Sequence, residues 1–228
     1  MESKGLNLIL KKKPKTSVKK KNLKESNYKE KTILIDGKYL ATRTRFNQQL
    51  RELSYNGVNT GLYFGFFNSL KMVAKEFKTG NIIIMWEGSS SKGFRKKMFK
   101  DYKVNRSKNK TPEEIQEKIE FNKEANEMYE KCLSLGFVGY SLEGYEADDL
   151  IAHYCNLHPD EEIIIVSNDE DMYQCLVHDN VTIYNIDKKK KKNKKWFKEE
   201  YGIHPDLWVM VKGLSGCFDK ETEILNIS

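Results

Sequence analysis

Acidic residues recur in this sequence at four places where an apolar run stops. Asp36 closes Thr32-Ile-Leu-Ile35, and Glu87 follows Ile82-Ile-Ile-Met-Trp86. Glu146, Asp148 and Asp149 come after Phe137–Leu142, while Asp169 and Asp171 follow Ile163-Ile-Ile-Val166. A single acid after a strand is commonly a helix cap or turn residue, so Asp36 or Glu87 alone carries no chemistry. Seven acids at four successive strand ends are different. Left alone they repel one another and raise one another's pKa values. A hard divalent cation held by carboxylate oxygens relieves this, and magnesium suits such ligands best. No histidine stands among these acids, and the four cysteines show no paired spacing, which disfavours zinc. Two such cations about 4 Å apart cut phosphodiesters by generating hydroxide and stabilising the attacking and leaving oxygens.

Basic residues lie beside these acids. Between residues 92 and 110 there are nine Lys or Arg against Asp101 alone, directly after the second acidic position. Arg95, Lys96, Lys97, Lys100, Lys103 and Arg106 in this stretch could hold a phosphate backbone, with Tyr102 free to pack or stack on bases. Phe94 and Phe99 read better as core residues. The first 31 residues carry 11 lysines against three glutamates, so the basic balance of +7 belongs to a tail on a near-neutral domain. A charged run of this kind reads as a solvated, disordered tail. A second run, Lys188 to Lys195, is almost pure lysine. If the basic stretches share a face, nucleic acid is the natural partner.

The elements that must position these residues alternate. The four apolar runs above, with Val181-Thr-Ile-Tyr184, read as strands buried on both faces of a parallel sheet. Between them Leu62, Phe66, Leu70, Val73 and Phe77 repeat at helical spacing, with Gly80 as a stop. Thr111-Pro112-Glu113-Glu114 opens another helix with a capping hydroxyl, an N-terminal proline and an acid three residues on. Its apolar positions run through Ile115, Ile119, Met128 and Cys132 to Gly136. The class is therefore α/β, and ligands in such folds gather at the carboxyl ends of the strands. No apolar run approaches the roughly 20 residues of a membrane span, and no cleavage site follows the weak apolar start. Free thiols in a reducing compartment, hence a cytoplasmic protein, fit the cysteines.

Leu34-Ile-Asp-Gly37, Trp86-Glu-Gly88 with Phe94-Arg95 and Tyr102-Lys-Val-Asn-Arg106, Gly144-Tyr-Glu-Ala-Asp-Asp-Leu150 and Val166-Ser-Asn-Asp-Glu-Asp171 occur in this order. Together they resemble the 5′-to-3′ exonuclease and flap endonuclease family in its bacteriophage and bacterial form, over about residues 32 to 216. The resemblance implies a PIN-like α/β domain with a mostly parallel sheet, helices on both faces and a helical arch from 93 to about 130. It implies a nuclease for DNA with a 5′ flap or end, or for primer RNA in an RNA–DNA hybrid, working in the cytoplasm (the host's, if phage-encoded). It assigns Asp36, Glu87, Glu146, Asp148 and Asp149 to a first Mg²⁺ and Asp169 and Asp171 toward a second, with Mn²⁺ as a substitute. Lys103 and Arg106 would act as catalytic residues near the scissile phosphate. Two positions depart from the family pattern. Glu87 stands where Asp is usual, and Asn168 where Gly is usual, Asn tolerating the left-handed conformation.

Tyr201–Asp206 and Lys212–Gly216 continue the resemblance, but two further acids expected next are replaced by Cys217-Phe-Asp-Lys-Glu-Thr-Glu-Ile-Leu225. This segment, 217–228, resembles the start of an intein with Cys217 as its nucleophile. The alternative function is then a catalytically incomplete N-terminal fragment that needs its downstream half, by splicing or association.

Overall fold

The computed structural model describes residues 31–91, 93–100 and 111–215, with backbone only at 94. The tail 1–30, the segment 101–110 with Tyr102, Lys103 and Arg106, and the intein-like segment with Cys217 lie outside the described residues.

Five apolar runs form the parallel core of a six-stranded sheet: β1 (Lys31–Asp36), β4 (Ile82–Glu87), β5 (Val138–Leu142), β6 (Glu162–Val166) and β7 (Val181–Asn185). A short hairpin, β2 (Ser54–Tyr55) with β3 (Val58–Asn59), stands apart from them. The sheet order is β5-β4-β1-β6-β7-β8, where β8 (Lys190–Lys192) is antiparallel to β7. Lys31 is the first residue of β1, where it pairs with Glu162.

Alternate residues of each strand face opposite layers, as the two-residue period of a strand requires. Ile33, Ile35, Ile84, Trp86 and Val166 pack against α1 (Gly37–Arg45), α3 (Gly61–Phe77) and α5 (Pro112–Ser134). Between the first two of these lies the short helix α2 (Gln48–Arg51). Leu34, Ile83, Met85, Ile163, Ile165 and Ile183 face the other side. There they meet α6 (Ala147–Leu157), a 3₁₀ segment (Glu170–Val177), α7 (Lys194–Tyr201) and α8 (Trp208–Ser215). This is the expected mostly parallel sheet with helices on both faces.

The expected helix start at Thr111 is present with both reciprocal capping bonds. Ile115 and Ile119 do not join the core, however, and Ile119 is 56% exposed. Only from Phe121 onward does α5 pack on the sheet, where Trp86 stacks on Tyr129 and donates to Asn126 Oδ1 at 3.0 Å. Residues 112–120, the first turns of α5, are exposed, and the short helix α4 (Gly93–Met98) precedes them in the chain. Phe99, expected in the core, is 63% exposed. The lysine run 188–195 folds as a turn, the edge strand β8 and the start of α7. Lys191 pairs with Glu76 and Lys192 contacts Tyr173, so charge blunts an edge that would otherwise invite strand pairing.

One glycine sets how closely the site can be built. A Cβ at Gly37 would lie 2.2 Å from Trp86 Cε3, because α1 leaves β1 directly across the β4 tryptophan. We predict that Gly37→Ala lowers stability by roughly 2 kcal/mol through overpacking. Urea unfolding measures this, and an unchanged midpoint would show that the contact relaxes freely.

Candidate active site

Parallel strands end at one edge of the sheet, and that edge is where the acids collect. In the strand register Asp36 pairs with Met85 and Ile35 with Val166. Asp36 therefore lies between Glu87, two residues beyond Met85, and Asp169, three beyond Val166. The chain runs outward from β1 through β4 to β5, then returns to β6 on the opposite side of β1, so the edge next to β1 is a switch point where a crevice opens. A cleft of about 780 Å³ occupies it. Asp36, Glu87, Glu146, Asp148 and Asp169 line it, together with Lys38 and Arg43.

Asp36 is the most buried of these acids but one, and its Oδ1 caps α1 by accepting the Tyr39 N–H at 2.9 Å. Burial, with the like charges of Glu87 and Asp169, pushes its carboxyl up to about 6 against the capping bond. Glu146, 5% exposed, and Asp149 form a reciprocal capping box at the start of α6, the Glu146 N–H donating to Asp149 Oδ2 at 2.9 Å. Negative charge at a helix N-terminus is also favoured by the helix dipole.

The structure divides the seven acids. Five share the main cleft. Asp149 and Asp171 line a neighbouring groove with Arg95, Lys212 and Trp208, and Asp148 faces both. Arg95 is placed on the acids: its guanidinium grips Asp149 with two bonds of 2.9 and 3.0 Å and lies 3.1 Å from Glu146 Oε2. Lys96, Lys97 and Lys100 are exposed on and just after α4. Glu87 Oε2 lies 3.8 Å from Lys38 Nζ. Among the described residues no three of the acidic, histidine or cysteine side chains already converge as a metal cage. The donors are nonetheless all carboxylate oxygens, with Asp36 and Glu146 buried, which fits a hard divalent cation.

Asn168 does not adopt the left-handed conformation expected of it; the non-glycine residues with positive φ among those described are Asn56, Lys78, Ser90 and Lys189. Its amide instead donates to Asp187 at 3.2 Å. Sequence reasoning missed Lys38, Arg43 and Asp187. The first two were within reach, because they are basic residues of the helix that Asp36 caps. Asp187 carried no such signal. Cys132, Cys155 and Cys175 are buried and unpaired by disulfides, as expected. No helix among the described residues is long and apolar enough to cross a membrane.

A doubly wound, mostly parallel sheet with a carboxylate-lined cleft at its switch point defines an α/β domain. Residues 31–202 match the family described as "5'-3' exonuclease, N-terminal resolvase-like domain", and the chain belongs to that family. DNA polymerase I of Lactococcus lactis subsp. cremoris is 34% identical over 200 residues, covering 82% of this chain and 22% of the polymerase. The 5'-3' exonuclease of Bacillus subtilis is 31% identical over 194 residues, covering 82% of this chain and 62% of that protein. The chain thus spans about a fifth of the polymerase and three fifths of the stand-alone exonuclease. The fold is shared with the bacteriophage T5 D15 flap endonuclease, solved as a pseudo-enzyme-product complex with DNA and metal ions. The TM-score is 0.67 at 19% identity, over 87% of this chain and 70% of that one. The intein reading has no support in these relatives.

A buried acid with a raised pKa makes a signed prediction. In metal-free protein the contribution of Asp36 to stability is complete below about 4 and is lost as pH rises through about 6. Asp36→Asn, which keeps the cap acceptor, should therefore melt higher than wild type at pH 7.5 in EDTA, by up to about 3 kcal/mol, and equally at pH 4. Added Mn²⁺ should reverse the order. A wild type that is the more stable at pH 7.5 in EDTA would contradict the strain.

Proposed function

We propose that this chain is the nuclease domain of a divalent-metal-dependent 5′-to-3′ exonuclease or flap endonuclease, hydrolysing phosphodiester bonds in DNA or in primer RNA. The observation that carries this is the gathering of Asp36, Glu87, Glu146, Asp148 and Asp169 from both sides of the switch point into one cleft that also holds Lys38 and Arg43. Membership of the exonuclease family supports it.

Asp36, Glu146, Asp148 and Asp169 would hold the first cation, with Glu87 reaching it from β4. Asp171, beside the second groove, would contribute to another together with Asp169, while Asp149 is held by Arg95. Magnesium, with manganese in its place, is the cation this oxygen set suits. When bound it supplies a nucleophile at neutral pH and neutralises charge at the phosphate. The chain's own residues do the rest. Lys38 and Arg43 would approach a phosphate from α1, and the exposed Lys96, Lys97 and Lys100 would track the strand, with Lys103 and Arg106 proposed to act at the scissile phosphate. Arg95 holds Asp149 and Glu146 in register with α4, so the basic segment is anchored to the acids it serves.

Asp148 faces both grooves, so its loss tests the reading most sharply. Asp148→Asn should weaken Mn²⁺ binding by calorimetry at least tenfold and abolish metal-dependent cleavage of a 5′-flap DNA, with melting temperature nearly unchanged. Equal Mn²⁺ affinity in both proteins would sink the assignment.

A further inference from the structure

We infer that Asp187 is a positioning residue for the cleft, one that presents the Arg43 guanidinium to a phosphate of the bound strand. The inference rests on the phosphate-binding reading of Arg43 and goes beyond it to the group that aims it.

Asp187 sits in the turn between β7 and β8, on a backbone tightened by the Lys188 N–H donating to Asn185 Oδ1 at 2.8 Å and by the left-handed Lys189. Because β7 is parallel to β1, this turn emerges at the same sheet edge as the acids, and Asp187 lines the same cleft. One carboxylate there takes bonds from two cleft residues and from Asn168. Arg43 Nε donates to Oδ1 at 2.5 Å, Asn168 Nδ2 to Oδ2 at 3.2 Å, and the Tyr39 hydroxyl to Oδ2 at 3.4 Å. Arg43 and Tyr39 come from α1, Asn168 from the loop that carries Asp169. The node therefore ties the two sides of the switch point together.

Stability does not explain this arrangement. The Asp187 side chain is 45% exposed, and ion pairs so open to water contribute little. Geometry does. Arg43 is held at Nε by Asp187 and at Nη1 by Ser69 Oγ, 3.4 Å away. A guanidinium has five N–H donors in a rigid fork, so these two contacts fix its plane and leave three donors for the cleft. An arginine fixed in this way loses less rotamer freedom when it meets a phosphate. A carboxylate among carboxylates would otherwise only add repulsion toward a nucleic acid strand.

That last point gives a test in which the two explanations predict opposite signs. Binding of a fluorescein-labelled 5′-flap DNA is measured by anisotropy in EDTA, at several salt concentrations, for wild type, Arg43→Ala, Asp187→Ala, Asp187→Asn and the Arg43→Ala/Asp187→Ala double variant. Melting temperatures control for folding. Arg43→Ala should weaken binding roughly tenfold and reduce the salt slope by about one. Asp187→Ala should weaken binding several-fold although it removes a negative charge, and should add nothing in the Arg43→Ala background. Asp187→Asn, which keeps one acceptor for Nε, should recover most of the loss. Tighter binding by Asp187→Ala, or an equal loss with and without Arg43, would overturn the positioning role alone. Unchanged binding in Arg43→Ala would instead overturn the phosphate-binding reading on which it stands.

Discussion

Mutual repulsion of carboxylates crowded onto one sheet edge is the constraint on which the rest of this structure turns. Parallel strands cannot avoid it: every strand end that carries an acid delivers it to the same side. Asp36 shows the cost: burial first, and then the like charges of Glu87 and Asp169, raise its carboxyl to about 6. A protein selected only for stability would place an apolar or hydroxyl residue there. Retaining the acid makes sense where a cation supplies the missing charge, and the fold spends much of its polar structure on managing that charge. Asp36 and Asp169 each cap the turn that follows them. Glu146 and Asp149 brace one another, and Arg95 and Lys38 lie against the acids as built-in countercharges.

The countercharges also explain how the site joins its surroundings. Arg95 belongs to the short helix α4, and its hold on Asp149 and Glu146 connects the basic segment directly to the acidic edge. Arg43 does the equivalent on the other flank, through Asp187 and the β7–β8 turn. Basic side chains from elements far apart in sequence thus meet acids at one place.

Much of this was legible in the sequence. The five parallel strands were, because strands buried on both faces write continuous β-branched runs, and the Thr111 cap was, because its residues act within one turn. The acids were legible because each follows a strand end directly. What stayed hidden depends on distant partners. Arg43 and Asp187 lie 144 positions apart, and nothing local marks either as part of a pair. Asn168 read as a backbone residue, yet its side chain carries its role. Ile115 and Ile119 read as core because they keep helical spacing; the period says which residues share a face, not whether anything covers it. Lys103 and Arg106 lie in the segment 101–110.

If acids from four strand ends form one cation site at the switch point, Mn²⁺ reports on it directly. Titrating substoichiometric Mn²⁺ into ¹⁵N-labelled protein broadens amides close to the ion. The expected result is selective loss of the Gly37, Gly88, Ala147 and Asp169 signals, with Glu161 and Asn180 at the opposite edge of the sheet unaffected. Broadening centred on the lysine-edged turn or the opposite edge, or none at any of the four, would contradict it.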